Sequence, residues 1–221
     1  MANLGETDRT RIRRAPTRAV KQTRVLYQII DESYICDVGF VINNGPVVIP
    51  TLGWRVDDEV YFHGSRGSRM LNAFKAGGQA CLTFTILDGL VMARSAFHHS
   101  ANYRSAVIFG TPTLVEDRQD KLDALEVFME NIAPGRWDRL RETNDQEIEA
   151  TDVLKLPLNE ASVKVRTGDP IDDEADLLHP VWAGIIPIKR MFGPVMDSAD
   201  NLDDETAPDF SDVFGEKWRR D

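Results

Sequence analysis

Alternating apolar and polar positions dominate the first third of the chain. Tyr34-Ile-Cys-Asp-Val-Gly-Phe-Val-Ile42 and Pro46 to Trp54 read as strands, rich in β-branched and aromatic residues. Asn43-Asn-Gly45 between them predicts a hairpin turn, because Asn and Gly accept the positive φ that a tight connection demands. A turn at Val56-Asp-Asp58 leads into a third strand ending at Phe62, so an antiparallel meander is expected. The period then changes. Met70, Leu71, Ala73 and Phe74 fall at helical spacing, and Ala76-Gly-Gly78 stops that short helix.

Two strands, Gln79 to Leu87 and Leu90 to Phe97, are expected to meet in a hairpin at Asp88-Gly89, and Tyr103 to Val115 gives a longer strand. Arg118 to Ile132 carries Leu122, Leu125, Val127, Phe128 and Met129 on or near one side and predicts an amphipathic helix, ended by Pro134-Gly135. A shorter helix near Asn144 to Ala150 follows. A strand from Val153 to Val165, with Pro157 at an edge or bulge, and a last strand from Val181 to Ile188 complete the pattern. Six to eight strands joined mostly by hairpins, with a few helices, predict a mainly β fold: an antiparallel, Greek-key-like barrel with helices outside it. Strands and helices do not alternate regularly and no G-x-G-x-x-G follows the first strand, which disfavours a doubly wound parallel sheet.

Charge marks the edges of this domain. Arg9, Arg11, Arg13, Arg14, Arg18, Lys21 and Arg24 make the start basic, whereas Asp203, Asp204, Glu205, Asp209 and Asp212 make the end acidic. The expected organisation is a basic arm over residues 1–16, a packed domain over 17–196 and an acidic tail over 197–221. Val20, Val25, Leu26, Ile29 and Ile30 share a helical face, so the basic run is read as the solvated side of a packed N-terminal helix. The net charge of -10 argues against a protein built to hold a nucleic-acid backbone. No apolar run reaches the length of about 18 residues that a membrane helix needs, and a soluble, cytoplasmic protein is expected. Cys36 and Cys81 lie in strand-like runs without C-x-x-C spacing and are read as buried free thiols.

Candidate chemistry gathers where the third strand hands over to the short helix. His63-Gly-Ser-Arg-Gly-Ser-Arg69 holds two glycines for a close turn, Ser65 and Ser68 as caps, and Arg69, with Arg66 nearby, as a forked cationic donor. Free N–H groups at a helix start attract anions, so this junction reads as a phosphate pocket. His98-His99 with Ser100 invites a metal or nucleophile reading. Neighbours on a strand face opposite ways, no third ligand lies at familiar spacing and no G-x-S-x-G elbow is present, so neither is expected.

Ile49-Pro-Thr51, Tyr61-Phe-His-Gly-Ser65, Ser68-Arg-Met-Leu71, Asp88 to Ser100 and Asn102-Tyr-Arg-Ser-Ala-Val107 together resemble the flavin-binding split-barrel proteins of the pyridoxamine 5'-phosphate oxidase-like superfamily. The string is most similar to the nitroimidazole-resistance branch, over about Arg11 to Pro194. The resemblance implies a homodimer of split barrels with two flavin mononucleotide (FMN) sites at the subunit interface. It implies that Ile49, Pro50, Thr51, Leu52, Trp54, Phe62, His63, Gly64 and Ser65 line the flavin, with the phosphate near Ser65, Ser68 and Arg69. Tyr103, Arg104 and Ser105, with Ser95 and Ser100, read as a polar edge facing the ring or the partner subunit, and Trp54 and Trp182 as the aromatics that flank the ring. The Arg-x-Val-Leu-Leu-Lys strand and the C-terminal arginine signature of the true pyridoxamine-phosphate oxidases are both missing.

The expected activity is therefore an FMN-dependent reductase of small electrophilic molecules such as nitro compounds, with a reduced nicotinamide as a plausible donor. His63, whose imidazole titrates near neutrality, is the candidate proton donor; the alternative is that it only hydrogen-bonds the flavin or a backbone carbonyl. Two other classes share the fold: a non-enzymatic module that binds flavin or haem, and a deazaflavin-dependent reductase.

Overall fold

The computed structural model describes residues 3–202 and Ala207. Most of the acidic tail, including Asp203, Asp204, Glu205, Asp209 and Asp212, lies outside the described residues. Ten strands form one antiparallel system in the order β1-β9-β6-β5-β2-β3-β4-β8-β7, with β10 added to β5. They are β1 (Ala19–Val20), β2 (Ile35–Ile42), β3 (Gly45–Val56), β4 (Glu59–Ser65), β5 (Ala80–Met92), β6 (Ser100–Gly110), β7 (Thr113–Leu114), β8 (Thr151–Pro157), β9 (Ala161–Arg166) and β10 (Gly184–Pro187). Four α-helices are interspersed among the described residues: α1 (Thr23–Glu32), α2 (Arg69–Lys75), α3 (Arg118–Ile132) and α4 (Asp145–Ala150). No hydrogen bonds join β1 to β7, so the sheet curls without closing, and the expected barrel is a split one.

The curl turns on β3. Its first part, Gly45 to Leu52, pairs with β2, and its last four residues, Gly53 to Val56, pair with β4. Gly53 sits at the changeover, where a Cβ would lie 2.8 Å from the Cys36 Sγ, so any side chain would push the corner open. The preceding hairpin has Asn43 at φ 49° and Asn44 at φ 62°, the left-handed pair that a two-residue turn requires. The main core lies between α1, α2 and the inner sheet face and includes Leu26, Ile29, Phe40, Phe62, Phe74, Phe84 and Leu156. A second cluster of Trp54, Tyr61, Val115, Ala124 and Val153 packs beneath α3.

Several expectations change. Tyr103 to Val115 is two strands, β6 and β7, rather than one. Asp88-Gly89 is not a hairpin: β5 runs through it, and the register against β6 shifts between Leu87 and Gly89, as in a β-bulge. A Cβ on Gly89 would come within 3.0 Å of the Ile186 carbonyl oxygen, so glycine admits β10 to the edge. The basic run is not a helix face, because α1 starts at Thr23 and only Arg24 of the run lies on it. Arg9 instead lies over the Phe109 ring and pairs with Glu160, which fastens the arm across β6 and the turn before β9. The segment expected as one strand from Val153 to Val165 is two, β8 and β9, and Pro157 ends the first. Cys36 is buried and Cys81 half-buried, both as free thiols. No helix among the described residues is long and apolar enough to cross a membrane.

Candidate functional site

Strand β4 supplies the centre of the site because its alternation sends neighbouring residues to different places. Phe62 turns inward, fully buried, and meets Phe74 of α2 edge-on at 5.8 Å. Tyr61 and His63 turn the other way, toward α3. There the ring of His63 lies 5.6 Å from Trp54 of β3 and 5.2 Å from Phe128 of α3, and those two rings are 4.8 Å apart. Tyr61 stacks on Trp54 at 6.0 Å and donates its hydroxyl to Glu59 at 3.0 Å. Burial, reinforced by Glu59, pushes the Tyr61 phenol well above its usual range.

Two polar atoms in this aromatic box are sealed from solvent and have no hydrogen-bond partner among the described residues: His63 Nδ1 and Trp54 Nε1. Orphaned buried donors and acceptors are uncommon because each forfeits its hydration. Burial lowers the His63 pKa below its ordinary value, so the imidazole is neutral at physiological pH and keeps a lone pair. His63 is half-buried overall, so the box has an open side.

The expected phosphate junction follows on the same strand. Ser65 and His63 are two residues apart on β4 and share a face, with about 7 Å between them at the usual strand rise. The loop after Ser65 is pinned by Arg66 N–H to the Ala150 carbonyl at 2.9 Å and by Ser68 N–H to the Ser65 carbonyl at 2.8 Å. Lys75, at the far end of α2, reaches back to the Arg66 carbonyl at 3.3 Å and to Asp152 of β8 at 2.6 Å. Ser68 occupies the cap position of α2 without a side-chain cap hydrogen bond, and Ser65 and Arg69 are exposed.

The remaining candidates separate. Pro50 and Leu52 of β3 lie on the outer sheet face, and so do Tyr103 and Ser105 of β6. Ile49 and Thr51 lie on the opposite side of β3, and Ile49 packs against the main core. Gly64 approaches Leu71 of α2 closely enough that a Cβ would lie 3.2 Å from a Leu71 methyl. Arg104 faces away from Tyr103 and Ser105. Its guanidinium meets Glu32 of α1 and Asp88 of β5, with Nη2 2.7 Å from each. Trp182 is exposed and covers Gly184, far along the chain from the Trp54 box. Phe128 is the residue that sequence reading assigned to the apolar side of α3 without placing it at the site; its partners come from β3 and β4, which no local pattern reveals.

The architecture is thus an open antiparallel split barrel with an aromatic box beside a strand-to-helix junction. The chain belongs to the pyridoxamine 5'-phosphate oxidase family, whose model matches residues 22–165. No curated protein matches the sequence at a significant level. Among solved structures, the flavocytochrome Anf3 from Azotobacter vinelandii superposes with a TM-score of 0.90 at 40% identity, covering 94% of this chain and 97% of that one. The FAD and haem binding protein from Mycobacterium smegmatis gives 0.85 at 31% identity, covering 89% and 97%. A protein assigned to 5-nitroimidazole antibiotic resistance from Bacteroides thetaiotaomicron gives 0.57 at 21% identity, covering 66% and 86%, and shares the fold.

Proposed function

We propose that this chain is a redox protein that holds a flavin, FAD in preference to FMN, together with a haem. The observation that carries the reading is the pair of buried, unpartnered atoms, His63 Nδ1 and Trp54 Nε1, in a box with an open side. Such atoms fit a ligand that brings its own polar groups to an aromatic cleft. Two of the solved relatives described above support the choice, one being a flavocytochrome and the other a binder of FAD and haem. When bound, a flavin supplies hydride and single-electron transfer and a haem supplies single-electron transfer at iron.

The residues of the chain take the following parts. Were a haem bound, His63, whose pKa burial lowers, would offer it a ring nitrogen. Trp54 and Phe128, packed ring against ring beside His63, would shield a bound group there from water. Ser65, Ser68 and Arg69 anchor the flavin phosphate at the junction, two to six residues further along the chain. The chemistry that such a cofactor would supply is electron transfer from a reduced nicotinamide to a small electrophilic acceptor such as a nitro compound or quinone. Oxidation of pyridoxamine phosphate is not proposed, since both substrate-phosphate signatures are missing.

A second copy of the chain completes the reading. Ile35 and Val41 of β2, Val48 of β3 and Leu87 of β5 share the outer sheet face, and Val41 and Val48 are each 64% exposed. Exposed apolar side chains of this kind, set around Asp37 on the same face, would be buried by a homodimer.

The test begins with colour. Protein purified without additives is expected to show both flavin absorption and a Soret band, and acid-released flavin should run as FAD on chromatography. His63→Ala should lose the Soret band and keep the flavin. A colourless protein, or a His63→Ala variant with an unchanged Soret band, would overturn the haem assignment. Val48→Lys should halve the mass measured by sedimentation if the outer face joins two copies.

A further inference from the structure

We propose that His98, Asp173 and Asp176 form a binding site for a divalent transition-metal ion, separate from the aromatic box. The imidazole and one oxygen from each carboxylate all lie within 4.8 Å of one another. His98 Nε2 is 3.2 Å from Asp173 Oδ2. One imidazole nitrogen and two carboxylate oxygens are a donor set that zinc, manganese and cobalt share, with bonds of about 2.0–2.2 Å. Three ligands at such bond lengths need only a modest inward movement. Asp173, with its side chain 77% exposed, is free to make it.

The two turns that carry the ligands are linked to each other. His98 closes a 3-10 turn, Ala96–His98, that follows β5, and Asp176 ends a second one, Glu174–Asp176. The two turns are held together by Asp172, whose side chain is 1% exposed. It accepts from the Arg94 backbone N–H at 2.7 Å and from Arg94 Nη1 at 2.8 Å. Asp173 and Asp176 are further fixed by the Asp176 N–H to Asp173 carbonyl bond at 2.9 Å. A partly buried ion pair thus stands beside an exposed ligand set and ties the two turns together before a cation arrives. That lowers the entropic cost of binding. Ser95, which opens the first turn, has a sealed hydroxyl with no hydrogen-bond partner among the described residues.

His99 is not one of the three; its Nδ1 lies 2.8 Å from the Ser95 carbonyl. With three protein ligands, coordination is completed by water, which leaves an open position. The ion would clasp the turn after β5 to the segment that leads toward β10.

The experiment uses the purified protein with its bound cofactors, stripped of loose metal with a chelator and titrated calorimetrically with zinc chloride. One zinc per chain is expected, bound more tightly than about 10 μM. His98→Ala and Asp176→Asn should each weaken binding at least tenfold, with the far-ultraviolet circular dichroism and the cofactor spectrum unchanged. His99→Ala and His179→Ala should bind as the parent does. Absence of stoichiometric zinc uptake by the parent, or full uptake by either His98→Ala or Asp176→Asn, would overturn the proposal.

Discussion

Arg104 reaches from β6 to Glu32 at the end of α1 with two charge-assisted hydrogen bonds, one of them at 2.7 Å between Nη2 and Oε1. The same guanidinium holds Asp88 through Nε at 2.9 Å and Nη2 at 2.7 Å. One cation therefore serves two carboxylates, and its own side chain is 12% exposed. Paired carboxylates raise the Arg104 pKa further above its usual range, so the charge is permanent. This arrangement ties the helix to the bulge at Asp88-Gly89.

Removing the cation should cost more than removing either anion. Arg104→Met leaves two carboxylates facing one another without a counter-ion, and a loss of about 3 kcal/mol is expected. Glu32→Gln keeps the Asp88 pair and an uncharged acceptor, and should cost roughly 1 kcal/mol. Urea unfolding of both variants at neutral pH checks the order. Equal losses would mean that the three groups do not act as a unit.

The corner at Gly53 gives a second expectation. An alanine there places its Cβ 2.8 Å from Cys36 Sγ and 3.4 Å from Phe84, both in the main core. Gly53→Ala should destabilise by about 1–3 kcal/mol through overpacking. Cys36→Ala removes the sulfur and makes room, so the double variant should be more stable than the sum of the single losses predicts. Additive losses in a double-mutant cycle would show that the strain lies elsewhere.

Much of this architecture was legible because it is local. The Asn43-Asn-Gly45 hairpin, α3 from Arg118 to Ile132 and the short α2 all follow from turn chemistry and periodicity within a few residues. Helix α3 even carries its own start signal, Asp117 accepting from the N–H groups of Gln119 and Asp120. What escaped reading depends on partners distant in sequence. Asp88-Gly89 carries a hairpin signal, but β6 and β10 on either side keep the strand straight. The arginines before α1 looked like a helix face because charge alone does not say that Arg9 will find Phe109 and Glu160. The candidate site divides in the same way. The junction at Ser65 to Arg69 is one continuous motif, whereas the box joins Trp54, His63 and Phe128 from three elements.

Burial of His63 sets a pH dependence. In the unfolded chain its imidazole gains a proton near its ordinary pKa of about 6.5, whereas in the folded chain burial delays protonation to lower pH. Between those two values the unfolded state binds more protons, so stability falls as pH decreases and levels off below the folded value. Cofactor-stripped protein should therefore have a lower urea midpoint at pH 5.5 than at pH 7.5, and His63→Phe should lessen the difference. An unchanged slope in that variant would place the sensitivity on other groups.

Arg69 tests the flavin assignment without disturbing the fold. It is exposed at the start of α2, and among the described residues it takes part in no ion pair or side-chain hydrogen bond. Its removal costs the folded chain little, within about 0.5 kcal/mol, because it packs against nothing that needs it. A guanidinium that grips a phosphate, by contrast, contributes roughly 1.5–3 kcal/mol through charged hydrogen bonds. Arg69→Met should then weaken flavin binding about ten- to one hundred-fold while the unfolding midpoint of the cofactor-free protein stays put. Fluorescence titration of stripped protein with FAD reads the first quantity and urea unfolding the second. Arg66, exposed in the same loop, serves as the control for charge alone. If Arg66→Met weakens binding as much as Arg69→Met, the loop acts as a diffuse positive patch, and the assignment of the phosphate to the start of α2 fails.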